Sequence, residues 1–347
     1  MAIARTGIRA SGRHRSIRWL TAVLVATSLL AIAVGPALAV DPTPSPTPEP
    51  TATPSPTPTP APTATPSPWP KPSWPTTITT LGSSVRLYGL GYGHGVGMSQ
   101  YGAKGRALAG QTAEQILAAY FKGATLSTTS PTRVVRVRVL NRFKAPSTAP
   151  LVLVGRGGTW SLTGTETVFP ANAQLRAWRK TTTTGGATTT TWRVKVLAPD
   201  GTTVLHSAVV TGAPAMRPLE PSTSLQVASR TSSYDLYRGS LVLVLRSGYV
   251  NVVNHVALDQ YLRGVVPAEM PTSWPREALR AQVIAARSYA VRELNPGTGT
   301  YDMVDDTRSQ VYRGIKGERS VTDALIAAEP GAVIRAGGTV VKAFFFS

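Results

Sequence analysis

The chain has no cysteine among its 347 residues. Disulfides, thiolate metal sites and cysteine nucleophiles are thereby excluded. Histidine is scarce as well, four in all. Beyond the N-terminal segment only His94, His206 and His255 remain, none at ligand spacing from another, so neither a metal nor another cofactor is expected. Acid is in short supply: 17 Asp and Glu stand against 36 Lys and Arg, a formal net charge of +19. Such a surplus of cation favours polyanionic surroundings. No G-x-S-x-G elbow, Walker A loop or dinucleotide-binding G-x-G-x-x-G occurs.

The N-terminus narrows the choice of polyanion. Arg5, Arg9, Arg13, Arg15 and Arg18 form a cationic n-region, Trp19 to Val34 an apolar core, and Ala37-Leu38-Ala39 a small-residue cleavage site. Residues 1–39 therefore read as a secretory signal peptide rather than a membrane anchor, for which the apolar run is short. Export places the protein in the extracellular space or cell wall, touching membrane only where the signal segment stays uncleaved. It argues against nucleic acid and for anionic wall polymer. Residues 40–76 are rich in Pro, Thr, Ser and Ala. Proline fixes φ and removes donors, so this tract reads as an extended, disordered linker.

The fold class expected for the rest is α+β: a β-rich antiparallel domain with a few helices. Thr112 to Phe121 reads as a short helix with Thr112 at its N-cap. From Thr132 the pattern turns to period two, through Arg133–Val139, Leu151–Val154, Trp192–Val196, Val204–Val210, Leu241–Leu245 and Gly248–Val256. Thr181 to Thr191 reads as a hairpin tip or a loose loop. Leu258–Arg263 allows one helical turn. A longer helix is expected from Pro275 to about Glu293, capped by Thr272 or Ser273, with Leu279, Val283, Ala286 and Ala290 on one apolar face. Tyr301–Tyr312 and Gly331–Ser347 have strand character, and the closing Ala343-Phe-Phe-Phe-Ser347 reads as an exposed edge broken off in mid-strand. The expected divisions are a glycine–histidine segment at 77–127, a β-rich insert at 128–233 and a core at 234–347.

Two stretches carry residues fit for chemistry. Glu269 stands among Val265, Val266, Pro267, Ala268, Met270 and Pro271. An apolar setting disfavours its charged form and suits it to proton donation near neutrality, and the prolines are expected to hold it in a stiff, non-helical segment. An exposed loop glutamate or a helix cap is the bland alternative. Gln282 and Arg287 interrupt an alanine-rich helix; a guanidinium there needs a partner, for which Glu269 or a substrate oxygen is the candidate. The second stretch spaces glycine at 89, 91, 93, 95 and 97 around His94, followed by Ser99, Gln100 and Tyr101. In an extended chain these glycines would share one bare face, open to close approach by backbone or a sugar ring.

Gly264-Val-Val-Pro-Ala-Glu-Met-Pro-Thr-Ser-Trp-Pro-Arg-Glu-Ala-Leu-Arg-Ala-Gln-Val-Ile-Ala-Ala-Arg-Ser-Tyr289 and Gly93-His-Gly-Val-Gly-Met-Ser-Gln-Tyr-Gly-Ala-Lys-Gly105 resemble the stage II sporulation protein D / LytB (amidase-enhancer) family, with a weaker third block from Asp305-Asp306 through Ser309-Gln310-Val311-Tyr312-Arg313-Gly314. The resemblance covers about Leu87–Phe121 and Leu236–Ser347. It implies a peptidoglycan lytic transglycosylase acting on glycan strands stripped of stem peptides, between MurNAc and GlcNAc, in wall remodelling or sporulation-type processes. It puts the catalytic acid on Glu269 and a functional arginine on Arg287. His94, Ser99, Gln100, Tyr101, Gln282, Ser288, Tyr289 and Gln310 would then line the substrate groove. The order of the two main segments is reversed relative to the familiar family order, which implies a permuted, C-terminally shortened member. A non-catalytic, wall-binding enhancer of an N-acetylmuramoyl-L-alanine amidase is the competing reading, with that amidase as partner. A carbohydrate-binding surface protein is a third.

Overall fold

Along Arg133–Val139 every second residue is valine, and Val135, Val137 and Val139 are all buried while the arginines between them face outward. Period-two alternation of this kind makes a sheet with one face against a core. The computed structural model describes residues 93–145, 148–295, 297 and 299–347. The stretches expected to be a signal peptide and a linker, residues 1–76, and Gly89 and Gly91 lie outside the described residues.

Two large sheets dominate. One has seven strands in the order Met303–Val304, Val134–Phe143, Tyr249–Ala257, Ser240–Arg246, Ala215–Pro218, Trp160–Leu162 and Val168–Phe169. Its neighbours are antiparallel except Met303–Val304, which runs parallel to Val134–Phe143. The other has six antiparallel strands: Leu236–Tyr237, Ser224–Val227, Leu151–Arg156, Gln174–Thr184, Ala187–Leu197 and Val204–Val210. Buried Trp160 and Trp192 fill this half, their indole N–H groups donating to the carbonyls of Pro170 (3.1 Å) and Gly212 (2.8 Å). The threonine tract closes the Gln174–Leu197 hairpin around Gly185-Gly186, as its composition indicates.

Hydrogen bonds cross the boundary expected at residue 233. The hairpin Ser240–Ala257 is flanked by Val134–Phe143 on one side and Ala215–Pro218 on the other. Arg230 reaches across it to the Val139 carbonyl, the Tyr237 hydroxyl and Asp305. The β-rich stretch and the C-terminal part thus share one sheet.

Six helices are present among the described residues: α1 (Gln100–Leu108), α2 (Ala113–Tyr120), α3 (Leu258–Glu269), α4 (Arg276–Glu293), α5 (Gly314–Gly317) and α6 (Ser320–Ala328). None is long and apolar enough to cross a membrane. Thr112 caps α2 through a reciprocal pair with Gln115. α4 departs from expectation in two ways. Pro275 itself occupies the N-cap position, with no side-chain cap from Thr272 or Ser273. Every residue from Ala281 to Val291 is buried, not one face only. Alanine and serine let α1, α2, α3, α6 and the strand Ala332–Ala336 approach on several sides, so α4 is the central axis of this half.

α3 is the larger correction. One turn was expected, yet the helix runs twelve residues to Glu269 with Pro267 inside it. Proline removes the donor owed to the Arg263 carbonyl. The neighbouring Gly264 carbonyl accepts from Arg313 N–H at 3.0 Å. A Cβ on Gly264 would stand 2.7 Å from the Tyr312 ring and 2.9 Å from the Gly314 carbonyl, so only glycine admits the 312–314 segment this close. Between Tyr301 and Tyr312 only Met303–Val304 is strand, and α5 and α6 follow where the sequence showed no helix signal.

Candidate functional site

Glu269 is the last residue of α3, not part of a non-helical segment. It opens onto a cleft of about 540 Å³ walled by Gly93, His94, Gln100, Tyr289, Thr307–Ser309 and Phe344–Ser347. It is the only acidic side chain among the described residues of that lining. Burial raises its carboxyl pKa above the ordinary value, against the opposing pull of the Val311 N–H and the Arg313 charge. The Val311 N–H donates to Oε1 at 2.6 Å, and Oε2 has no partner among the described residues. The carbonyl end of α3 adds its own disfavour to a negative charge at this position. Glu269 is thus a half-buried acid, anchored through one oxygen and held in its protonated form to higher pH.

The glycine–histidine segment forms the opposite wall, though not as a flat extended ladder. Gly93, Gly95 and Gly97 have φ of +106°, +69° and +81°, so the chain winds through left-handed turns. At Gly97 a Cβ would fall 2.0 Å from the Phe344 carbonyl oxygen. That contact seats Met98–Ser99 in parallel pairing with Phe345–Phe346. The closing Phe run is therefore half-buried in the cleft wall rather than a free edge: Phe344 packs edge-on to His94 and Tyr289, at 5.6 Å in each case. His94 accepts the Val96 N–H at Nδ1 (3.1 Å), which leaves Nε2 to carry the proton in the neutral ring.

Gln100 joins the two segments. Its amide donates to the Glu269 main-chain carbonyl (3.0 Å) and approaches the Gln282 side-chain oxygen at 3.5 Å. Gln282 is fully buried one layer below the cleft, its Nε2 without a partner among the described residues. Tyr289 lines the cleft directly. Burial, then Glu293 and Glu269, hold its hydroxyl pKa above the usual range.

Other expected site residues lie elsewhere. Arg287 does not meet Glu269: it is fully buried and bonds Asp259 (2.9 Å) and the Ala332 carbonyl (3.1 Å), tying α3 and α4 to the strand Ala332–Ala336. Ser288 is buried with its hydroxyl between the Ile284 carbonyl (2.7 Å) and the Ile334 N–H (2.9 Å). Gln310 is buried between the Tyr261 hydroxyl (3.1 Å) and the Ala286 carbonyl (3.3 Å). Ser99 caps α1 by accepting the Gly102 N–H at 3.1 Å. Tyr101 is exposed outside the cleft, 4.9 Å from the Trp274 ring, with Lys104 over the pair. Thr307, Arg308 and Ser309 are cleft residues that sequence reasoning passed over; they stand inside the third motif block, beside the Gln310 it selected.

A site with one perturbed carboxyl, a histidine and aromatic and amide walls can donate and retrieve a proton beside a polar ring-shaped ligand. The model of the family described as Stage II sporulation protein (SpoIID) matches residues 246–341, which hold Glu269, Gln282 and Tyr289. "Amidase enhancer" of Bacillus subtilis (strain 168) is 40% identical over 86 residues, 25% of this chain and 11% of that protein. "Stage II sporulation protein D" of the same organism is 33% identical over 113 residues, 27% of this chain and 32% of that one. An uncharacterized protein of Brachyspira hyodysenteriae is 40% identical over 80 residues, 22% of each chain. The matched stretch thus spans between 11% and 32% of these relatives. No solved structure matches the chain significantly. Residues 246–341 are thus similar to the SpoIID family, and the likeness extends to a protein named amidase enhancer.

Proposed function

We propose that this protein acts on the bacterial cell wall as an exported lytic transglycosylase that cleaves peptide-stripped glycan between MurNAc and GlcNAc. The observation that supports the reading is the Glu269 carboxyl, whose pKa burial raises and which is the one acidic side chain among the described residues of the cleft wall. An ordinary glycosidase needs two carboxylates, one for the leaving group and one for water or covalent attack. A lytic enzyme needs one. Glu269 gives its proton to the glycosidic oxygen as the bond to C1 breaks; the 6-hydroxyl of the same MurNAc closes onto C1 and returns its proton to Glu269. The products are a free GlcNAc 4-hydroxyl and a 1,6-anhydro end. Gln100 fixes the end of α3 that carries the acid, and His94 and Tyr289 supply cleft wall. Buried Arg287 acts at a distance, as a positioning residue.

A second reading has its own support, the likeness to a protein named for enhancing an amidase. In that case the same cleft binds glycan without cutting it and the partner is a cell-wall amidase. The test is to incubate the full-length protein with purified peptide-free glycan strands and follow 1,6-anhydro-muramic ends by mass spectrometry, with Glu269→Gln alongside. Anhydro ends that need Glu269 are the expected result. Strand binding without cleavage would transfer the reading to the enhancer.

A further inference from the structure

A second pocket, about 430 Å³, opens where the end of the strand Val134–Phe143, the turn between Ser240–Arg246 and Tyr249–Ala257, and the loop 301–308 come together. Its lining holds Arg138, Arg142, Arg246 and Arg308 with Tyr249 and Tyr301, and no acidic residue. Several other arginines of the domain are matched with carboxylates, among them Arg136 with Asp302, Arg230 with Asp305, Arg238 with Glu318 and Arg287 with Asp259. Here Arg308 pairs with Asp306, whose carboxylate also feels Arg138, while Arg138, Arg142 and Arg246 themselves form no ion pair among the described residues. Three arginines without an ion pair thus meet in one pocket.

The geometry suits an anion carried on a sugar. Arg138 lies 4.6 Å from the Tyr301 ring centre and donates to its hydroxyl at 2.9 Å; Arg142 lies 4.5 Å from the Tyr249 ring centre. A stacked guanidinium has its plane fixed and its N–H edge free for a carboxylate. The tyrosine rings offer the flat apolar faces that a pyranose covers. Two non-glycine residues in this pocket hold positive φ, Arg142 at +54° and Ser247 at +49°, beside an irregular register in the pairing of Val134–Phe143 with Tyr249–Ala257. Backbone departures of this sort are retained where they aim side chains. Arg142, and behind it Lys144 and Arg179, lower the Tyr249 hydroxyl from its usual range, which registers the positive field. Arg308 stands in the wall of both this pocket and the Glu269 cleft, so the two adjoin.

We propose that this arginine pocket is a second subsite of the same groove, in which Arg138, Arg142 and Arg246 take the free lactyl carboxylates of a peptide-stripped glycan strand whose neighbouring units occupy the Glu269 cleft. The inference rests on the glycan reading above and gives it a selection rule. Removing the stem peptide exposes one carboxylate per MurNAc, and the pocket reads that group; a strand whose lactyl groups are amidated offers it no anion.

Binding is measured in the full-length chain carrying Glu269→Gln, which leaves strands intact, and cleavage in the otherwise native chain. The probes are peptide-free glycan strands, the same strands with lactyl carboxyls converted to methylamides, neutral chitohexaose and a glycerol-phosphate polymer. Arg142→Gln with Arg246→Gln is compared with Arg193→Gln with Arg292→Gln, which removes the same charge from exposed positions outside the pocket. The pocket pair is expected to weaken strand binding about fivefold or more and the control pair less than about twofold. The methylamide strands should bind the parent as weakly as free strands bind the pocket variant, and chitohexaose should not distinguish the variants. Equal strand binding by parent and pocket variant, indifference to amidation, or pocket-dependent binding of the glycerol-phosphate polymer alone would each overturn the subsite. Pocket-dependent strand binding without anhydro ends keeps the subsite and removes the lytic reading. Anhydro ends with pocket-independent binding do the reverse, and a chain that binds no strand at all removes the subsite.

Discussion

Replacing Glu269 by Gln separates chemistry from architecture because the structure shows which of its contacts survive. The amide oxygen can still accept the Val311 N–H now held at 2.6 Å, and the main-chain carbonyl bonded by Gln100 is untouched. What changes is the acceptor of that one hydrogen bond, carboxyl oxygen to amide oxygen, worth about 1 kcal/mol at most. The net change in unfolding free energy should stay within about 1 kcal/mol, a shift of about 2–4 °C in Tm for a domain of this size. The rate should fall far more: loss of a positioned general acid costs about 10²–10⁴-fold, or about 3–5 kcal/mol in the barrier.

The stability difference should also depend on pH in one direction. In the native protein the Glu269 pKa is raised above the ordinary 4.5, so from that pH upward the folded state holds a proton that the unfolded chain has released. Stability drawn from this group is full below 4.5 and is lost as pH rises through the higher folded value. Gln has no such loss, so the variant should gain on the parent between pH 4 and neutrality, while cleavage by the parent declines as Glu269 ionises. Differential scanning calorimetry across that range and the anhydro-end assay measure the two sides. Undiminished cleavage by the variant, or a fall in Tm of about 10 °C or more, would refute the assignment of Glu269 as an acid rather than a structural group.

Gln100→Ala removes the donor to the Glu269 carbonyl and should lower kcat about tenfold with KM little changed, read in the same glycan assay. Asp259→Ala leaves the Arg287 guanidinium buried without its counter-charge and should cost about 3–5 kcal/mol in urea denaturation, with Asp259→Asn losing less. Gly264→Ala drives a methyl group to within 2.7 Å of the Tyr312 ring and should cost about 1–3 kcal/mol by the same measurement.

The strands were legible because each carries its own period: the basic–valine alternation before Val139 and the threonine tract around Gly185-Gly186 need no distant information. Glu269 was legible as a perturbed acid for the same reason, since its apolar neighbours adjoin it in sequence. The glycine ladder was misread because spacing does not disclose φ. Three of its glycines turn left-handed, and Gly97 does so against the Phe344 carbonyl, a contact set by a residue about 250 positions away. The arginine pocket had no sequence signal, being assembled from a strand end, a turn and a loop spread from Arg138 to Arg308. A motif reports the residues that a fold brings together only when they are also neighbours in the chain.

Arg287 shows where that limit falls. An arginine amid alanines needs a partner, and the sequence pointed to Glu269 or a substrate oxygen; the structure supplies Asp259 instead. Helix α3 decides between them. Both acids belong to it, near its two ends, ten residues apart and so about 15 Å along its axis. A guanidinium 2.9 Å from Asp259 cannot also touch Glu269. Because α3 continues through Pro267 instead of ending at Arg263, the arginine anchors the start of the helix while the acid is carried at its end, beside the cleft. The coupling between them is mechanical. Asp259→Asn should therefore soften the domain and reduce cleavage without displacing the pH at which cleavage declines, whereas a direct Arg287–Glu269 contact would make that pH move.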